Sequence, residues 1–241
     1  MNRGARYALN AIPEFTGFPK ETLRFYAELK ENNFKDWFTE KKEYYQEYVL
    51  KPAQSFVVAF GEHLKGISDD LTYDPRTNGR GSILRIHRDI RFSKDKTPYN
   101  TRLRMRFSGE GGEKGGFPGF FFGMDETGGR LLGGLYNFIK PVLESYREAV
   151  ANEKSGKRLV RIVDDIRALP GFEIKGEHYK RVPRGYDVDH PRAELLKHDG
   201  LYISSPKIPA NVLKRPELVD TCYEHALRIA PVHHWILKLQ H

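Results

Sequence analysis

Apolar positions recur at helical spacing through the first quarter of the chain. Leu23, Tyr26 and Leu29 follow Pro19, which suits a helix's first turn, and Asn32 and Asn33 stop that run. Asn33 is placed to cap a second helix, with Asp36 favouring its amide-rich start. Phe34, Trp37, Phe38, Lys41, Tyr45, Tyr48 and Val49 then make one mostly apolar stripe. Pro52 breaks or kinks that helix, after which Phe56, Phe60, Leu64 and Ile67 continue at spacings of four and three. From Asn78 the period changes to two, which predicts strands. In Ser82 to Arg88, Leu84 and Ile86 point one way and Arg85 and His87 the other, with Ile83 outside the clean alternation. In Thr101 to Phe107, Leu103, Met105 and Phe107 alternate with Arg102, Arg104 and Arg106.

The connection Asp89 to Asn100 is too long for a tight hairpin turn. Phe120 to Asp125 and Arg130 to Tyr136 read as a further pair of strands turned by Glu126 to Gly129. Half of the 22 glycines fall between Gly109 and Gly134, and the run from Gly109 to Gly119 reads as a flexible loop. Helical spacing returns at Ile139, Leu143, Tyr146 and Val150, and again at Leu159, Ile162, Val163 and Ile166, ending at Pro170 and Gly171. Phe172 to Pro209 reads as irregular. A last helix carries Leu218, Val219, Cys222, Ala226 and Ile229, with a kink at Pro231 before Trp235 and Leu239. No repeat or dividing linker interrupts the pattern. It predicts a tail over 1–14 and one α+β domain over 15–241, an antiparallel or mixed sheet packed by N-terminal, middle and C-terminal helices.

Composition fits this picture: 241 residues, 39% hydrophobic and 12% aromatic, suffice for a core without staples. The longest apolar runs fall far short of the roughly 20 residues of a membrane span, so no membrane partner is expected. Arg3 and Arg6 precede no secretory apolar region, which makes the cytoplasm the expected address. A single cysteine, Cys222, excludes an internal disulfide and any multi-cysteine zinc or iron-sulfur site.

The formal net charge of +8 is unevenly distributed. Arg85, Arg88, Arg91, Lys94, Lys96, Arg102, Arg104 and Arg106 are opposed within their 22 residues only by Asp89 and Asp95, so that window carries +6 and the other 219 residues +2. With both strands laid apolar side down on helices, Arg85, His87, Arg102, Arg104 and Arg106 share the opposite face. Guanidinium groups suit phosphate or carboxylate, and an anion relieves the repulsion of clustering them. The bland alternative is a solvated sheet face whose arginines pair with carboxylates from elsewhere, each such pair contributing about 0 to 1 kcal/mol. Within RDIRFSKDKTPY (88–99), Ser93 and Thr97 can donate to an anion and Lys94 and Lys96 neutralise it. Asp89 and Asp95 can hold basic side chains or a hard metal, or the loop's charges satisfy one another.

RDIRFSKDKTPY, with ENNFKDWF upstream and PRGYDVDHPRAELLK downstream, resembles the family named domain of unknown function 2461, found widely in bacteria and also in fungi. The resemblance runs from about Phe15 to about Ile236. It departs from the family's pattern at His87, where an aromatic such as Tyr is expected, at Asn100, where Lys is expected, and at Asp199, where a basic residue is common. The resemblance implies a single α+β domain and supplies no reaction, cofactor or catalytic residue.

Other constellations are weaker. Asp187, Asp189 and His190 in PRGYDVDHP can be read as oxygen and nitrogen metal ligands or as a rigid turn with Asp187 as its cap, and the turn is preferred, so no metal is assigned. The glycine run matches neither the P-loop nor the dinucleotide fingerprint. Adjacent His233 and His234 diverge by about 100° on a helix and do not chelate as a pair. The leading expectation is a protein that binds a phosphate-bearing ligand, a nucleotide or nucleic acid, through Arg85, Arg88, Arg91, Ser93, Lys94, Lys96, Arg102, Arg104 and Arg106. A hydrolase or transferase using Asp89, Asp95 or His190 is the alternative, and a domain meeting an acidic protein surface the third.

Overall fold

The computed structural model describes residues 11–109 and 117–240. Its leading helical pattern becomes α1 (Lys20–Glu31), α2 (Lys35–Glu40), α3 (Lys42–Tyr45) and α4 (Lys51–Lys65), and a wider π-type turn, Gln46–Leu50, joins the last two. Pro19 stands just ahead of α1 in extended conformation, rather than inside its first turn. Pro52 enters α4 at its first turn and has no N–H to offer the Tyr48 carbonyl four residues back. That carbonyl accepts the buried Thr22 hydroxyl of α1. The proline therefore neither ends nor breaks the helical run; the ladder is re-registered beside it by the π turn.

The stripe of the second helix is only partly core. Phe38, Tyr45 and Val49 are buried, whereas Phe34 and Tyr48 are exposed. Asn33 does not cap α2, whose N-cap is Phe34 without a side-chain bond. Its amide instead pairs with the backbone of Tyr99, donating from Nδ2 to the carbonyl at 2.9 Å and accepting at Oδ1 from the N–H at 3.0 Å.

Strand β1 (Leu103–Ser108) keeps the predicted alternation, with Leu103, Met105 and Phe107 buried. The segment before it forms no continuous strand. Residues 82–88 lie beside β1 through the isolated bridge Ile83↔Met105 and hydrogen bonds from Leu84 N to Arg104 O and from Arg106 N to Ser82 O, both 2.9 Å. Ile83 and Ile86 are the buried apolar residues there, three apart, so the strict alternation expected for Leu84 and Ile86 does not hold. Strands β2 (Gly119–Asp125) and β3 (Gly128–Leu135) form a hairpin turned by Glu126 and Thr127 alone; Gly128 and Gly129, expected in the turn, belong to β3. Of the expected glycine loop, residues 110–116 lie outside the described residues.

Helices α5 (Lys140–Ala151) and α6 (Glu153–Arg167) follow as predicted. The stretch expected to be irregular instead contributes β4 (Glu173–Glu177), α7 (Ala193–Leu196), β5 (His198–Ser204) and β6 (Ile208–Pro209). A short α8 (Ala210–Leu213) leads to α9 (Leu218–Leu237), which runs continuously through Pro231.

The sheet order is β1-β2-β3-β5-β4, with β6 also on β3 and every pairing antiparallel. One face packs on helices. Phe56 of α4 meets Phe122 of β2 at 4.9 Å between ring centroids, Phe60 meets Phe107 at 5.0 Å, and α9 lays Ile229 over Gly133 of β3. A single apolar core runs from Phe15 to Ile236, which makes the chain one α+β domain. The tail expected over 1–14 falls mostly outside the described residues. No helix among the described residues is long and apolar enough to cross a membrane.

Candidate anion-binding site

Strand parity decides what the other face of the sheet presents. On β1 it carries Arg104 and Arg106, on β2 Phe121 and Gly123, on β3 Arg130 and Leu132, and on β5 Tyr202. The register sets these side by side, with Arg104 opposite Gly123 and Gly123 opposite Arg130 in one row, and Arg106, Phe121 and Leu132 in the next. At the first row the face sinks into a cleft of 520 Å³, whose charged lining is Arg102, Arg104, Arg130, Lys207 and one carboxylate, Asp125.

Asp125 is already engaged. Its Oδ1 accepts from the Thr127 N–H at 2.8 Å and hydroxyl at 2.6 Å, and its Oδ2 lies 3.1 Å from Arg102 Nε. Burial pushes this carboxyl up, but the Thr127 bonds and the charges of Lys30 and Arg102 outweigh it and hold Asp125 below its ordinary value. It stays ionised near neutrality and is no reservoir of protons. Arg130 donates to the Ser205 carbonyl at 2.7 Å and Lys207 to the Thr127 hydroxyl at 2.9 Å. Arg104 donates to the Arg85 carbonyl at 3.3 Å. None of these three forms an ion pair with a described carboxylate; Glu173, on β4, feels Arg130 only at longer range. Burial first, and the neighbouring Arg85 charge as well, pull Arg104 below its ordinary value, although a guanidinium stays cationic at any working pH. Among the described residues the cleft thus holds more positive charge than it neutralises.

The loop that dominates the sequence is organised differently. Arg88 is its hub, donating to Asp95 Oδ2 at 2.5 Å, to the Thr97 carbonyl at 3.0 Å, to the Thr97 hydroxyl and to Ser93 Oγ at 3.4 Å. Asp89 accepts from Arg91 Nη2 at 2.7 Å, and Lys96 donates to the Ile90 carbonyl at 3.0 Å. The Thr97 backbone amide and hydroxyl, with Arg88, bring the Asp95 carboxyl down to about 2. The side-chain bond from Arg91 likewise lowers Asp89. Here the loop's charges largely satisfy one another, while Arg85 and Lys94 are exposed and Phe92 is 93% exposed. Of the nine expected ligand-binding side chains, Arg102 and Arg104 line the cleft, Arg106 shares its sheet face, and Arg85, Arg88, Arg91, Ser93, Lys94 and Lys96 lie outside the lining.

His190 is not brought to Asp89 or Asp95. It borders a separate hollow with Asp164, Arg167 and Arg192, and its Nδ1 accepts from the Arg192 N–H at 3.1 Å. Asp187 Oδ1 accepts from the Asp189 N–H at 3.0 Å, the local turn bond expected of it. No group of three His, Cys, Asp or Glu among the described residues is disposed to hold a metal ion.

The sequence profile of a family described as conserved hypothetical protein (DUF2461) matches residues 21–235. The chain belongs to the DUF2461 family. A search of curated proteins finds no match. The DUF2461 match begins within α1 and ends within α9, so every residue lining the cleft lies inside it.

Sequence reasoning missed Phe121, Gly123, Asp125, Arg130 and Lys207. Parity along the strands carries a signal for the first four, since Phe120, Phe122 and Leu131 claim the core side. Lys207 has no local signal, because the β3 pairing of β6 brings it in from nearly eighty residues away.

Proposed function

We propose that the protein binds a phosphate-bearing ligand on the open face of its sheet, in the cleft between Arg104 and Arg130. The observation that supports this reading is the charge balance of the cleft: Arg104, Arg130 and Lys207 surround a space whose only lining carboxylate among the described residues is committed to Thr127 and Arg102. Guanidiniums fixed on rigid strands offer paired donors without the entropy cost of ordering a loop, and partial burial strengthens them relative to bulk water. The basic segment keeps a part in this through Arg102, paired with Asp125, and Arg104, held by the Arg85 carbonyl. We take the setting to be cytoplasmic, in keeping with a chain whose one cysteine, Cys222, is buried and unpaired.

Thermal unfolding followed with added inorganic phosphate and pyrophosphate, against chloride at matched ionic strength, tests the reading. Stabilisation specific to the phosphates is expected, and R104Q/R130Q should lose it while keeping its circular dichroism spectrum. An unchanged phosphate response in that double variant rules the cleft out as the anion site.

A further inference from the structure

Glycine in the interior of a strand weakens it, and is retained where packing or a close approach demands it. Most glycines of β2 and β3 have such a reason. A Cβ at Gly133 would stand 2.6 Å from Ile229, at Gly129 2.9 Å from the Phe122 ring, at Gly134 2.3 Å from the Leu201 carbonyl, and at Gly119 2.4 Å from the Phe107 carbonyl. Gly123 has none. A Cβ there would make only ordinary contacts, 3.4 Å to the Phe121 ring and 3.9 Å to the Leu103 carbonyl, and its φ is not in the left-handed region. Any side chain at 123 would rise into the cleft between Arg104 and Arg130. The two arginine strands lie on either side of it, each about 4.8 Å away. The empty position makes a floor on which an anion can settle between two guanidiniums.

The adjoining row gives the ligand's second half. Phe121 stands two residues from Gly123 on the same strand and face, its Cα about 7 Å along it and its ring reaching back to within 3.4 Å of where a Gly123 Cβ would stand, and it is flanked by Leu132 across the register. Neither side chain is fully buried, and both line the cleft. A flat apolar surface adjoining an anion seat matches a ligand that carries a planar ring and a phosphate on one small scaffold, as a nucleotide does. We infer that the cleft takes a free mononucleotide, its phosphate between Arg104 and Arg130 over Gly123 and its base against Phe121. The 520 Å³ volume is that of a small-molecule site. This inference rests on the anion-binding reading above and narrows it.

Isothermal titration of the full chain with adenosine, guanosine, cytidine and uridine 5′-monophosphates, ribose 5-phosphate and adenosine separates the two claims. The expected result is that at least one nucleotide binds about tenfold or more tighter than both ribose 5-phosphate and adenosine. F121A should erase that advantage and leave ribose 5-phosphate binding unchanged. G123V, at a position with room for a Cβ and a residue suited to strands, should keep the wild-type unfolding temperature and lose the phosphate-bearing ligands. Should G123V fail to fold, the F121A comparison decides the matter alone. Equal affinity for ribose 5-phosphate and every nucleotide overturns the ring subsite and leaves the anion site standing. No binding of any phosphate compound overturns both. A single-stranded oligonucleotide that binds where no mononucleotide does overturns the free-nucleotide assignment in favour of a polymer.

Discussion

His233 of α9 is fully buried, stacks on Phe120 at 5.6 Å between centroids, and neither ring nitrogen has a hydrogen-bond partner among the described residues. Burial, with the nearby His234 adding to it, lowers its pKa from 6.5 to about 4. Its folded-state value thus lies below its unfolded value, so the unfolded chain takes up the proton first and stability falls as pH drops from about 6.5 towards 4, by up to about 3 kcal/mol. Urea unfolding of wild type and H233L across pH 7 to 4 checks this. The variant should be at least as stable at pH 7 and lack that part of the decline, since it also removes two unsatisfied buried atoms. Parallel pH profiles would show that His233 contributes nothing to acid sensitivity. Sequence spacing placed the two adjacent histidines on diverging directions, and His234 does turn away to the Ile67 carbonyl at 2.8 Å. That His233 faces the sheet was not legible, because a polar residue in a helix reads as solvent-facing. Asn33 shows the converse: its residue type suggested a cap, and a backbone 66 positions away claimed it instead.

Elements with strong period were legible and those held by distant partners were not. The arginine alternation of β1 and the apolar spacing of α5, α6 and α9 each report one buried face. Strand β5 was missed because it is buried on both sides for most of its length, between β3 and β4, and Asp199 and Gly200 disguise its start. The loop of residues 89–98 was legible as the most distinctive string and its task was not, since charges that satisfy one another look the same in sequence as charges waiting for a ligand. Its order depends on Arg88. R88A should therefore raise the rate of limited tryptic cleavage after Arg91, Lys94 and Lys96 several-fold, with little change in global stability because the ion pairs are exposed. Unaltered cleavage would mean that the loop is held by other contacts.

At the scale of the molecule, the sheet is finished by chain that arrives late. β5 inserts between β3 and β4, and α9 covers β3 while packing on α4 and α6. Leu218, Cys222, Ala226, Ile229, Val232 and Ile236 of α9 are fully buried. A chain ending at residue 217 should accordingly show no cooperative thermal transition by calorimetry; a sharp transition would demonstrate that the earlier elements suffice. Global charge was legible as a localised excess along the chain; that excess meets the open sheet at Arg102 and Arg104, while Arg130 and Lys207 join only once strands from different parts of the chain are laid together.

The π turn at Gln46–Leu50 bears on how this chain tolerates insertions and deletions. A π turn holds one residue more than an α turn, so it stores a single-residue offset in the helical frame. Losing one residue there would restore a regular helix and swing everything N-terminal of it by about 100°. Phe38 and Tyr45 would leave the core together, and the Tyr48 carbonyl would turn away from Thr22. Length in this family should therefore vary in the glycine run or at the termini, and be fixed between α1 and Pro52.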